Sequence, residues 1–288
     1  MKAKILITLA AAAMLFEGTA AARPSRALPV AFLSFDALNV ANNGDTLATE
    51  GFRGTRVFRI RTDGTTVVVA DGLAGPIDVA EDDEGALYVT CFLDATVRKV
   101  APNGTVTLFA TVLPFPAGIV RDATGQFYVS HYGPADPNTG FGTGDTILKL
   151  SPEGAVSTLS SGGALAAPIG IDIGKDQKVY VANFHDGRVI SISPNGQQHV
   201  VADLTGPEIS FAIGHLAFAG DRLYATGIQD EALFRINVAS GRFRARDISE
   251  RVTFPNGLAF DSATQTLLVA RGFTPNPDLV RIPVRSKH

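Results

Sequence analysis

The chain has 288 residues, 45% of them hydrophobic, and a formal charge of −3. That length can bury a sizeable core, and the charge gives no basic excess for nucleic acid or an anionic membrane surface. A single cysteine, Cys91, excludes an intramolecular disulfide.

In chain order, the first segment is a predicted signal peptide over residues 1–22. Lys2 and Lys4 form a positive start, Ile5 to Phe16 is apolar but too short to span a bilayer, and Ala20-Ala21-Ala22 offers a small-residue cleavage site before Arg23. The expected destination is the periplasm or the extracellular medium. No other apolar run is long enough to cross a membrane, so no membrane insertion of the mature chain is expected. Residues 23–288 then read as one domain.

That domain repeats. A short β-type run recurs as Leu47-Ala48-Thr49, Tyr88-Val89-Thr90, Tyr128-Val129-Ser130, Tyr180-Val181-Ala182, Tyr224-Ala225-Thr226 and Leu268-Val269-Ala270, at spacings of 41, 40, 52, 44 and 44 residues. Periods of about 40 to 50 residues suit four-stranded propeller blades. Each run is followed by an alternating strand such as Val97-Arg98-Lys99-Val100 or Leu233-Phe234-Arg235-Ile236, with the two-residue period of a two-faced strand. Turns such as Pro102-Asn103-Gly104 and Pro194-Asn195-Gly196 then lead into an outer strand. A further strand precedes each Tyr/Leu run, for example Pro76-Ile77-Asp78-Val79 or Asn256-Gly257-Leu258-Ala259. Each unit is therefore strands A, B, C and D, with A innermost. The sixth unit ends after Leu279 to Ile282, and the orphan stretch Leu28 to Leu33 is expected to supply its fourth strand. The predicted fold is all-β: a six-bladed β-propeller with four-stranded antiparallel blades, its N-terminal strand closing the last blade.

In such a ring the D-to-A and B-to-C loops share one face around the central channel. Two columns of residues fall there. After the Tyr/Leu run stand Glu50, Cys91, His131, Asn183, Gly227 and Arg271; at the start of strand A stand Pro76, Ala117, Ile169, Gly214 with His215, and Asn256. The first column changes chemistry at every blade, which a purely structural column has no reason to do. His131, Glu50 and Arg271 are candidate catalytic residues: His131 as general base, Arg271 as carboxylate anchor or oxyanion partner. Asn183, His215 and Asn256 are candidate substrate-binding residues. Each also has a structural reading: Asn256 as a turn cap, Glu50 as the partner of a rim arginine, the histidines as core or loop residues. Cys91 reads as a small buried apolar group. Tyr132 to Asp145 lengthens the third unit with six Gly and Pro residues, as either a lid or a surface elaboration. Asp136 and Asp145 within it are oxygen donors at irregular spacing.

Gly85-Ala86-Leu87-Tyr88-Val89 with Val97-Arg98-Lys99-Val100, the Pro-Asn-Gly turns, and Phe254-Pro255-Asn256-Gly257-Leu258-Ala259-Phe260 resemble the six-bladed propellers of the SMP-30/gluconolactonase/strictosidine-synthase-like and NHL-repeat superfamily. The resemblance covers nearly all of the mature chain. It implies a small-molecule ligand in the central channel and, in the gluconolactonase branch, a divalent metal such as Ca²⁺ on acidic and Asn side chains. Asn256 matches the Asn of that branch's Pro-Asn-Gly turn, and Glu50 or Asp36 would be further oxygen donors. The resemblance implies lactone or ester hydrolysis, or lyase chemistry as in the streptogramin B lyase. The NHL branch implies the alternative, a non-catalytic propeller that binds a ligand or a protein partner.

Overall fold

The computed structural model describes residues 35–204, 213–271 and 279–284. The expected signal peptide and the stretch Leu28 to Leu33 lie outside the described residues. Six antiparallel sheets follow one another along the chain. Blade 1 is β1 (Leu38–Val40), β2 (Thr46–Thr49), β3 (Val57–Ile60) and β4 (Thr66–Ala70). Blade 2 is β5 (Pro76–Glu81), β6 (Leu87–Cys91), β7 (Thr96–Val100) and β8 (Val106–Thr111). Blade 3 is β9 (Pro116–Arg121), β10 (Phe127–His131), β11 (Thr146–Leu150) and β12 (Val156–Ser161). Blade 4 is β13 (Pro168–Ile173), β14 (Val179–Asn183), β15 (Arg188–Ile192) and β16 (Gln198–Asp203). Blade 5 is β17 (Ile213–Ala219), β18 (Arg222–Gly227), β19 (Ala232–Ile236) and β20 (Phe243–Asp247). Blade 6 shows three described strands, β21 (Pro255–Asp261), β22 (Thr266–Arg271) and β23 (Leu279–Pro283). This is the six-bladed β-propeller the repeat predicts. Among the described residues no helix is long and apolar enough to cross a membrane.

The inner strands pack in a circle, β1 on β5, then β9, β13, β17, β21 and back to β1. Apolar side chains alternate on both faces of each blade and fill the gaps between blades. Phe35, Leu38, Ala48 and Phe58 of blade 1 share one cluster with Ala259, Leu268 and Ala270 of blade 6, so the first and last blades are joined by core packing. The outer strands are the wet ones: β8, β12 and β20 are mostly exposed.

The inner edge of strand A has no strand beside it, so its backbone groups need other partners. In four blades the last residue of the repeated Tyr/Leu run supplies them. Thr49 Oγ1 donates to the Ile77 carbonyl at 2.5 Å, Thr90 to Ala117 at 2.5 Å, Ser130 to Ile169 at 2.7 Å and Thr226 to Asn256 at 2.7 Å. Every one of these carbonyls belongs to the next blade. The same oxygens accept the amides of Ala37, Asp78, Gly118 and His215 on their own strand A. A hydroxyl latch therefore ties four blades to their neighbours. Blades 4 and 6 carry Ala182 and Ala270 at this position and have no latch. Replacing Thr226 by Val keeps the shape and leaves a buried carbonyl and a buried amide unsatisfied. We expect a loss of about 1–3 kcal/mol, read as a lower urea midpoint with an unchanged m-value.

Candidate channel site

The backbone builds the mouth of the channel with one repeated device. The residue before the first residue of strand A adopts a left-handed conformation in four blades: Gly75 (φ 68°), Phe115 (61°), Ala167 (46°) and Phe254 (49°). A proline follows in each case, at Pro76, Pro116, Pro168 and Pro255. Non-glycine residues hold this region only when their surroundings fix them. Here the carbonyls of Gly75, Phe115 and Ala167 accept the amides of Phe92, Tyr132 and Phe184 in the facing B-to-C loops. The loops thereby present a chain of aromatic rings. Phe92 lies 5.0 Å from Phe115 and 6.0 Å from Tyr132, and Tyr132 lies 5.8 Å from Phe184, between ring centres. Phe141, in the long third-unit loop, packs at a tilt against His185 with ring centres 4.2 Å apart. That loop folds back on itself through an Ala135–Gly142 bridge, and its Asp136 accepts the amides of Asn138 and Thr139.

The residues of the first column are each engaged separately. Glu50 forms an ion pair with Arg56 at 2.5 Å and accepts the amides of Thr55 and Arg56. Asn183 is buried and holds its own loop, bonding Ala164, Ala166 and Asp186. Among the described residues Arg271 donates one long bond, 3.4 Å, to the Arg251 carbonyl. Among the described residues His131 makes no side-chain-to-side-chain hydrogen bond, and burial lowers its pKa. Among the described residues no hydrogen bond or ion pair joins Glu50, His131, Asn183 and Arg271 to one another. His185 is pushed down to about 4 by burial. Cys91 is fully buried, and burial pushes its thiol up to about 11, as fits an inert apolar group.

The second column does converge, once its register is corrected. A bulge after the first strand residue (Pro76/Val79 in blade 2) aligns Asp36, Ile77, Ala117, Ile169, Gly214 and Asn256. The next column is Ala37, Asp78, Gly118, Gly170, His215 and Gly257. Pro76 therefore does not stand in Asn256's position, and Asp78 enters the site unannounced. Asn256 Nδ2 donates to Asp36 Oδ1 at 2.9 Å, and His215 Nε2 lies 3.5 Å from the same oxygen. Asn256 sits within strand β21, so its side chain serves Asp36 and not a turn. Asp78 is buried behind them and accepts the amides of Val79 and Ile119.

The electrostatics of this set are coupled. Burial disfavours the His215 imidazolium, but the Asp36 carboxylate 3.5 Å away and the charge of Asp78 outweigh it and raise its pKa. Burial pushes Asp78 up to about 6, with His215 pulling the other way. Asp172, further along strand A of blade 4, is likewise pushed up to about 6 by burial. A metal finds no ready cage here. Glu50 is held by Arg56, and among the described residues no three His, Cys, Asp or Glu side chains converge as ligands. Asp36 with Asn256 is the pair nearest to the expected donor set.

The comparisons with known proteins agree on architecture. A streptogramin B lyase superposes with a TM-score of 0.63 at 17% identity over 81% of this chain and 74% of that one. A gluconolactonase from Xanthomonas campestris gives 0.70 at 15% identity, over 87% of each chain. A catalytically inactive virginiamycin B lyase from Staphylococcus aureus, with quinupristin, gives 0.63 at 15% identity over 90% and 87%. The likeness is one of fold. No protein-family model and no curated relative matches the sequence.

The coupled set predicts how stability responds to pH. Asp78 holds its proton in the folded state from pH ~4 to ~6, where an unfolded carboxyl has lost it. Its contribution is complete below that window and declines as pH rises through it. His215, also raised, loses its contribution at the upper end, as pH passes its folded pKa. The thermal midpoint should therefore fall from pH ~4 to ~8. Asp78→Asn should flatten the part of the fall below pH ~6, as differential scanning calorimetry would show.

Proposed function

We propose that the chain is an exported small-molecule enzyme that works by general acid–base catalysis in its channel, on a lactone, an ester or a substrate of lyase chemistry. One observation carries this reading: His215 is held at a raised pKa between Asp36 and Asp78, with the Asn256 amide on the same carboxylate. Hydrolysis and elimination both need a proton donor and a proton acceptor close together with separated pKa values. His215 suits the donor: an imidazolium can protonate a leaving oxygen or stabilise the negative charge that develops on it. Asp36, partly exposed, suits the acceptor, drawing a proton from water or from a substrate carbon. Asn256 orients Asp36. The aromatic mouth would exclude water and take an apolar part of the substrate.

This assigns the acid–base work to His215 rather than to His131. His131 stays a neutral wall residue in this reading, and Asn183 and Arg271 shape the loops. The alternative, a binding propeller without turnover, is favoured by one feature. Asp78 is already occupied by two backbone amides, as a purely structural carboxylate would be. A panel of lactones, aryl esters and cyclic depsipeptides, followed by proton release and by mass spectrometry, separates the two. His215→Gln should lower kcat by about 10²–10⁴ with little change in thermal midpoint at pH 8, whereas His131→Gln should leave kcat within a few-fold. Equal losses in both variants, or ligand binding without turnover, would overturn the catalytic reading.

The export proposal rests on Lys2, Lys4, the apolar Ile5 to Phe16 and the Ala20-Ala21-Ala22 site. Expressed with its leader in a bacterium, the protein should be recovered outside the cytoplasm with Arg23 as its first residue. A cytoplasmic product that retains residues 1–22 would refute it.

A further inference from the structure

Strand C of every blade carries one residue beside the B-strand Tyr/Leu: Arg59, Lys99, Lys149, Ser191, Arg235 and Arg281. In three blades its charge is balanced by a carboxylate. Arg59 pairs with Glu81 at 2.8 Å, Lys99 with Asp82 at 3.8 Å and Arg281 with Asp261 at 3.6 Å. Lys99 and Lys149 also lie over the rings of Tyr88 and Tyr128, whose hydroxyls donate to Asp82 and Asp122.

Blade 5 departs from this pattern in three ways. Where blades 2 and 3 have Asp82 and Asp122, it has Ala219, so the balancing carboxylate is missing. Where they have Ala86 and Gln126, it has Arg222. Opposite Arg235 on the outer strand stands Arg244, where blades 2, 3 and 4 offer Thr107, Ser157 and His199. Like charges directly opposed on neighbouring strands destabilise a sheet. Arg242 joins them, and the four guanidinium groups line a groove of about 370 Å³. Among the described residues none of the four makes an ion pair. Asp221, in the adjoining turn, is engaged by Lys175 at 3.2 Å. The groove lies beside the A-to-B turn, on the face opposite the aromatic mouth.

We propose that this groove is an oxyanion site for a phosphate- or sulfate-bearing ligand. Planar guanidinium forks match tetrahedral oxyanions and bind them in pairs. A bound dianion would relieve the repulsion that Ala219 leaves uncompensated. The site is independent of the channel chemistry.

The test is calorimetric titration with inorganic pyrophosphate at fixed ionic strength, with chloride as control. The native protein should bind one equivalent. Arg235→Gln/Arg244→Gln should weaken binding at least ~10-fold. Ala219→Asp restores the carboxylate of blades 2 and 3. It should weaken binding as much while the thermal midpoint holds or rises. Absence of binding by the native protein would overturn the site, as would equal binding by both variants. Sedimentation with phosphatidylcholine vesicles, with and without phosphatidic acid, assigns the source. Capture that requires both phosphatidic acid and Arg235/Arg244 supports a lipid headgroup. Pyrophosphate binding without capture supports a soluble anion.

Discussion

The inner edge of strand A has no strand partner, and much of this molecule follows from that fact. A sheet edge in a closed ring must satisfy its polar backbone through side chains. Thr49, Thr90, Ser130 and Thr226 do so from the neighbouring strand B, and each hydroxyl bonds the next blade's inner carbonyl. Asp78 and Asp172 do the complementary work for amides, accepting from Ile119 and Phe218 of the following blade. Asn39 donates to Val79 in the same manner. From blade 1 to blade 6 the channel wall is therefore a run of side-chain-to-backbone bonds between neighbouring blades. Polar groups are concentrated there because the architecture requires them, before any ligand is considered.

That same closeness explains which polar groups are exceptional. The column Ala37, Asp78, Gly118, Gly170, His215 and Gly257 lies against the next inner strand. A Cβ on Gly118 would collide with the Ile169 carbonyl oxygen, and one on Gly170 with that of Gly214. Small residues are the structural solution at this level. Asp78 and His215 break it, and they break it next to Asp36 and Asn256. Local violations of a structural rule tend to mark functional positions. The chemical variety of the Glu50–Arg271 column has a different origin. Those residues sit where B-to-C loops depart, and Glu50 and Asn183 each hold the particular loop that follows, with Arg56 or with Ala164 and Asp186.

The fold was legible because period-two strands and Pro/Gly turns recur at nearly constant intervals, and the Tyr/Leu runs fall on strand B in all six blades. Of the site, His215 and Asn256 were legible as polar exceptions at the start of strand A. Asp78 was hidden by the bulge, since counting from Pro76 aligns the wrong residue with Asn256. A template aligned on the hydrophobic residue that follows (Leu38, Val79, Ile119, Ile171, Leu216, Leu258) would have placed Asp78 beside His215. The aromatic mouth was hidden for another reason. Phe115 and Phe254 owe their position to left-handed backbone before a proline, and no propensity argument assigns that conformation to phenylalanine.

Under the proposed function, the channel set also ties activity to closure. Asp36 precedes the first inner strand and Asn256 opens the last, yet their side chains bond at 2.9 Å across 220 residues of sequence. His215 comes from blade 5 and Asp78 from blade 2. No blade carries the set alone, and no pair of consecutive blades does. Blade 6 lacks the hydroxyl latch, with Ala270 in its place, so the Asn256–Asp36 bond is one of the few polar links across that seam, beside the apolar cluster around Phe35 and Leu268. A change that loosens the seam moves Asp36 relative to His215 and Asn256 before it unfolds a blade. Activity should then be more sensitive than stability to substitutions at Phe35, Leu38 or Leu268, because the acid–base geometry depends on fractions of an ångström while the remaining blades keep their latches and cores.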